Sequence, residues 1–179
     1  MTNYVFFADG FEEIEALSVV DILRRAGMAV ETVSVHDRAT VTGAHGVPVV
    51  ADRLIADVPT TEGWLILPGG MPGATNLLNC ERLAEMLVEH GRKGLNLAAI
   101  CASPSVVLAP LGLLNGRPAT CYPGMEAEGV MWNSQMVTCH DNIITGRGPA
   151  AAAHFALAIV RAELGDDVAN GVAQGMLLT

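Results

Sequence analysis

The chain contains one residue whose type and position together propose a reaction. Cys101 stands where the apolar stretch Asn96-Leu97-Ala98-Ala99-Ile100 gives way to a helix pattern opening at Ala102-Ser103-Pro104-Ser105. At a strand-to-helix corner, backbone N–H groups and the helix dipole favour a thiolate, which is the nucleophilic form of cysteine. The corner is comparable to the nucleophile elbow G-x-S-x-G, with Ala99 and Ser103 in place of the two glycines. The carboxyl end of a strand is also where open α/β sheets place their sites. The competing reading is a small hydrophobe in a core, the commonest fate of a free cysteine.

A carboxyl group is the second candidate. At about 100° per residue, Ala16, Val19, Val20, Ile22, Leu23 and Ala26 form one apolar arc of a helix, and Glu15 lies inside it. Its carboxyl is therefore expected to face the sheet, with a raised pKa, able to donate a hydrogen bond to sulfur or to move a proton. Glu12 and Glu13, at the very start of the helix, fit a simpler role against the helix dipole. Pro68-Gly69-Gly70 follows another apolar strand. Glycines there allow close backbone approach, so the Gly70 N–H is an oxyanion donor or part of an ordinary turn. The five histidines are His36, His45, His90, His140 and His154, and nothing in the sequence brings one to Cys101 as a base.

These groups need a scaffold, and the pattern supplies one. Strand signals at Tyr4–Ala8, Ala29–Val35, Trp64–Leu67 and Leu97–Ile100 alternate with helix signals at Glu12–Ala26 and Cys80–His90. Further strands are expected at 41–43, 47–50, 119–121, 135–139 and 143–145, and a long apolar helix at 150–164. Alternation of this kind predicts an α/β fold, a mainly parallel sheet with helices on both faces. With 179 residues and no linker or repeat, the chain reads as one domain over 1–179.

Composition narrows the partners. Ten basic against nineteen acidic residues give a formal net charge of −9, which disfavours nucleic acid and anionic membranes. No apolar run reaches the ~20 residues of a membrane span, and Met1-Thr2-Asn3-Tyr4 lacks a basic signal-peptide start. The four cysteines, Cys80, Cys101, Cys121 and Cys139, include no C-x-x-C pair, which disfavours a zinc site and leads to the expectation of a cytoplasmic protein with free thiols; no metal or organic cofactor is expected for the chemistry read below. Ile14 and Leu17 fall on the polar side of the first helix, near Asp21 and Arg25, as a subunit contact or as scattered surface hydrophobes.

Five short segments in order carry a resemblance. They are Gly10-Phe11-Glu12-Glu13-Ile14-Glu15, Asp21-Ile22-Leu23-Arg24-Arg25-Ala26-Gly27, Leu67-Pro68-Gly69-Gly70, Ala98-Ala99-Ile100-Cys101-Ala102 and Gly146-Arg147-Gly148-Pro149. From Tyr4 to Leu164 the chain resembles the ThiJ/PfpI superfamily, which includes the parkinsonism-associated deglycase. The resemblance implies a flavodoxin-like sandwich and a homodimer built around the first helix. It implies that Cys101 is the reactive, oxidation-prone cysteine and Glu15 the buried glutamate beside it. Gly70 and Ala102 match backbone donors near the sulfur, and Arg147 an arginine in the neighbourhood. Two positions depart: Tyr122 stands where deglycase-like members have a histidine before Pro123, and His45 where they have an arginine. Tyr122, with a reference pKa of about 10, is suited to binding substrate rather than to acting as a base.

The functional expectation is a cysteine-dependent glyoxalase or deglycase acting on small carbonyls such as methylglyoxal. The alternative is a redox-sensing, stress-response or chaperone-like protein with an oxidisable cysteine. An intracellular peptidase is a third reading, disfavoured by the missing histidine.

Overall fold

The computed structural model describes residues 1–178. In chain order the strands are β1 (Asn3–Phe7), β2 (Val30–Ser34), β3 (Thr40–Thr42), β4 (Pro48–Val50), β5 (Arg53–Leu54) and β6 (Leu65–Leu67). They continue with β7 (Leu97–Ile100), β8 (Pro118–Ala119), β9 (Met131–Trp132), β10 (Val137–His140) and β11 (Ile143–Gly146). The helices are α1 (Glu13–Arg25), α2 (Gly73–Leu78), α3 (Glu81–Arg92), α4 (Ala152–Leu164) and α5 (Asp166–Gly175). Seven strands form the main sheet in the order β10-β11-β7-β6-β1-β2-β5. All its pairings are parallel except β10 with β11 at one edge.

Alternation along the strands builds two cores. Val5, Phe7, Ile66, Ala98 and Ile100 face α1, α4 and α5 with Ile22, Leu23, Phe155 and Ile159. Tyr4, Phe6, Leu65, Leu67, Leu97 and Ala99 face α2 and α3 with Leu77, Leu83 and Leu87. The result is the expected flavodoxin-like sandwich, with helices on both faces of a mostly parallel sheet. Among the described residues no helix is long and apolar enough to cross a membrane.

Several boundaries differ from the sequence expectation. The strand expected at 119–121 is only β8, which pairs with β9 outside the main sheet. The helix expected to open at Ala102 is a five-residue π-helical segment, Pro104–Leu108. Proline at its first position supplies no N–H, and so short a segment sums few peptide dipoles. The helices α2 and α5 and the short strand β5 are not among the elements expected from the sequence.

Phe155 is fully buried against the sheet, where it lies close to Gly146 at the end of β11. Phe155→Ala is expected to cost about 3–5 kcal/mol through lost burial and the cavity it leaves. Urea unfolding of the two proteins measures this directly.

Candidate active site

Strand alternation would send Cys101 to the same face as Ala99. Instead its backbone turns to φ 64°, in the left-handed region, and its side chain joins the core on the α1–α4 side. For a residue other than glycine this conformation costs about 1–3 kcal/mol. Two backbone bonds hold it. The Cys101 N–H donates to the Gly146 carbonyl at 2.8 Å, and the Cys101 carbonyl accepts from the Tyr122 N–H at 2.9 Å. The inversion carries the thiol toward α1 and Glu15.

Glu15 has no solvent exposure, as the apolar arc of α1 predicts. Glu12 caps α1, its Oε2 accepting the Glu15 N–H at 2.7 Å. The Gly69 N–H donates to Glu15 Oε2 at 2.8 Å. The other oxygen, Oε1, is buried without a hydrogen-bond partner, while the carboxyl adjoins the Cys101 thiol. Gly69 is required by space: a Cβ there would lie 2.6 Å from Cys101 Cβ and 2.7 Å from Glu15 Oε2. The sequence marks Gly69 only as part of Pro68-Gly69-Gly70, with no role of its own. The doubled glycine was the available signal, and it was attached to Gly70 alone. Gly70 adopts φ 91°, and the Gly70 and Ala102 N–H groups are placed to lower the pKa of the Cys101 thiol.

Burial raises the Glu15 carboxyl to about 7, against the opposing effect of its contacts with Cys101 and the Gly69 N–H. Burial also pushes the Cys101 thiol up to about 12, aided by the charge of Glu15, while the Gly70 and Ala102 N–H groups pull it down. The expected thiolate-favouring corner is thereby corrected: desolvation and a carboxylate neighbour outweigh two amide donors and a very short helix. The high thiol value applies while Glu15 is charged. With Glu15 neutral that repulsion vanishes, so the two groups titrate as one coupled pair.

The other candidates lie farther out. His45, in the β3–β4 turn, donates its backbone N–H to Glu13 Oε1, and its Nδ1 lies 2.7 Å from Glu13 Oε2. That contact raises the His45 pKa. Although burial acts to raise Glu13, the His45 ring and backbone bonds prevail and lower it. Glu13 is thus more than a dipole partner, since it fastens the hairpin to α1. Tyr122 meets Cys101 through its backbone, and its half-exposed ring lies over Gly148. Arg147 turns its Nη1 to the Ser134 carbonyl. Among the described residues, no histidine ring hydrogen-bonds Cys101: His36 serves the Asp9 N–H and His90 the Gly63 carbonyl. Glu12, Glu13 and His45 lie within metal-binding reach of one another. Both Glu13 oxygens, however, are occupied by His45.

Comparison with known proteins gives the family. The family model described as DJ-1/PfpI matches residues 1–162. The chain belongs to the DJ-1/PfpI family. Protein DJ-1 homolog B of Arabidopsis thaliana is 36% identical over 175 residues, covering 96% of this chain and 40% of its own. The chain thus spans less than half the length of that plant relative. The glutathione-independent glyoxalase DJR-1.2 of Caenorhabditis elegans is 33% identical over 172 residues, covering 93% of this chain and 90% of its own. The structure of oxidized Toxoplasma gondii DJ-1 is similar with a TM-score of 0.93 and 39% identity, covering 98% of this chain and 97% of that one.

The coupled pair has two measurable consequences. Below pH 4.5 Glu15 is protonated whether folded or unfolded. Between 4.5 and about 7 the unfolded state ionises first, so this group's contribution to stability falls as pH rises, by about 3 kcal/mol in all. Glu15→Gln is therefore expected to gain on wild type between pH 4 and pH 8, read by urea midpoints. The rate of Cys101 alkylation by iodoacetamide is expected to rise in two steps with pH in wild type. Glu15→Gln should show a single step.

Proposed function

We propose that the chain is a cysteine-dependent glyoxalase or deglycase acting on small reactive carbonyls such as methylglyoxal. One observation carries the reading: a fully buried carboxyl, with one oxygen unpartnered, adjoins the Cys101 thiol. The printed name of the worm relative, a glutathione-independent glyoxalase, supports the same chemistry.

In this mechanism the carboxyl takes the thiol proton as sulfur adds to the aldehyde carbon. The product is a hemithioacetal, whose developing oxyanion is steadied by the Gly70 and Ala102 N–H groups. Glu15 returns its proton to that oxygen, then moves a proton from the former aldehyde carbon to its neighbour while the hydroxyl proton passes to the neighbouring oxygen, giving a thioester. Water hydrolyses the thioester to lactate and restores the thiol. The sum is one water added to methylglyoxal, with no oxidant or reductant. Tyr122, His45 and Arg147 act around this centre in binding rather than as bases.

The unit proposed to act is a homodimer of single-domain chains, each spanning 1–179. Ile14, 58% exposed, and Leu17 lie on the outer face of α1 beside the Asp21–Arg25 ion pair. A second copy would cover this apolar pair. Sedimentation of wild type is expected to give a dimer, and Leu17→Glu to shift it toward monomer.

A second reading rests on the same sulfur contacts. Two N–H donors and a protonated carboxyl suit a cysteine sulfinate, and the Toxoplasma relative is described as oxidized. A gain of two oxygens confined to Cys101 after mild peroxide, with no carbonyl turnover, would favour this sensor role.

For the enzyme, Cys101→Ser is expected to lose at least about 100-fold in kcat/KM for methylglyoxal, and Glu15→Gln at least about tenfold, the range for a positioned acid–base group. Methylglyoxal consumption by Cys101→Ser at the wild-type rate would remove the proposal.

A further inference from the structure

A side chain at a helix N-cap accepts the N–H of the third helical residue, and a glutamate at that third position commonly answers by accepting the N-cap N–H. Glu12 and Glu15 occupy these two positions of α1. The first half of the exchange is present, with Glu12 Oε2 accepting the Glu15 N–H at 2.7 Å. The second half is rerouted. The Glu12 N–H donates to the Gly69 carbonyl at 2.9 Å, and the Gly69 N–H donates to Glu15 Oε2 at 2.8 Å. Three hydrogen bonds thus close a circuit from Glu12 to Gly69 to Glu15 and back to Glu12. The circuit joins the loop after β1 to the loop after β6.

The detour has a chemical result. In the direct exchange the Glu15 carboxyl would fold back on the end of its own helix. Held by Gly69 instead, it keeps Oε1 unpartnered and adjoins the Cys101 thiol. Glu12 is also an unusual cap, since Ser, Thr, Asp and Asn are preferred at this position. Serine or asparagine would accept the same N–H without a charge. Glu12 is buried, and it sets a carboxylate beside the working carboxyl. Burial is the main cause that raises the Glu15 pKa, and the Glu12 charge adds to it.

We propose that Glu12 is a positioning residue of the active site, which aims the Glu15 carboxyl at Cys101 through the circuit and sets a negative charge beside it. Its importance for turnover rests on the proton transfers proposed for Glu15, whereas its hold on Glu15 does not. The other groups around Glu15 leave this role to Glu12. The Glu13 carboxylate is turned to the backbone and ring of His45 in the β3–β4 turn. From α4, Ala152 and Phe155 enter the cluster that holds Cys101 and carry no charge. The Glu12 charge acts on His45 as well, so the test must observe Glu15 itself.

In protein labelled with carbon-13 at the glutamate carboxyls, the Glu15 resonance is the one lost in Glu15→Gln. Glu12→Gln keeps an oxygen acceptor and removes the charge. Its Glu15 midpoint is expected to fall by at least about half a pH unit, because a like charge favours the neutral carboxyl. Glu12→Ala removes the acceptor too, and its two steps of Cys101 alkylation by iodoacetamide are expected to merge into one. Glu12→Ser supplies a neutral cap; it is expected to recover the melting temperature lost in Glu12→Ala but not the wild-type Glu15 midpoint. With methylglyoxal, Glu12→Ala should lose at least about tenfold in kcat while KM stays within about twofold. A wild-type Glu15 midpoint in Glu12→Gln, together with two unshifted alkylation steps in Glu12→Ala, would overturn the proposal and leave Glu12 a helix cap. If even wild type consumes no methylglyoxal while the Glu15 midpoint still falls in Glu12→Gln, the carbonyl chemistry fails and the positioning role stands.

Discussion

The site depends on one buried carboxyl that shares its surroundings with a thiol. Taking Glu15 out of water is costly, and only one N–H, from Gly69, compensates it by a hydrogen bond. The unpaired oxygen finds relief by holding a proton, and burial places that proton within reach of neutral pH. Everything near Cys101 follows from this constraint. Burial raises the Cys101 thiol first, a charged Glu15 raises it further, and a neutral Glu15 removes only that added part. Reactivity therefore belongs to the pair, and neither group has a protonation state of its own.

The fold meets this constraint with backbone as much as with side chains. Three loops at the carboxyl ends of strands converge there: one after β1, one after β6 and one after β7. The Glu12 N–H bonds the Gly69 carbonyl, and the Gly73 N–H bonds the Gly10 carbonyl. Such close crossing leaves no room for side chains, since a Cβ on Gly70 would stand 2.4 Å from the Glu12 nitrogen. The left-handed turn at Cys101 completes the arrangement by moving the thiol from one core to the other.

Much of this was legible in the residues. The inward placement of Glu15 followed from helix periodicity, because its angular position is fixed by α1 and the arc of α1 is wholly apolar. The strand before Cys101 and the parallel sheet followed from apolar runs bounded by glycine. What escaped has a physical reason. No periodicity reports a left-handed φ at a non-glycine residue, so the side chain's change of face was invisible. The expected thiolate failed because local dipole reasoning does not see desolvation, which depends on the packing of α1 against distant strands. Glu13 was read as a helix-end charge because its partner, His45, is 32 residues away. Arg147 and Tyr122 were placed in the neighbourhood of the site, but the carbonyl that Arg147 binds and the backbone link of Tyr122 depend on tertiary turns.

The groups that pull the Cys101 thiol down are the amides of Gly70 and Ala102, and this limits what any residue scan can see. Exchanging the side chain at 102 leaves its N–H in place, and exchanging Gly70 disrupts the whole crossing. Half of the electrostatic design is thus written in main chain. It is silent to alanine scanning and free to persist while the surrounding letters drift. Only chemistry on the polymer itself, such as an ester in place of one amide, would subtract a donor and leave the architecture standing.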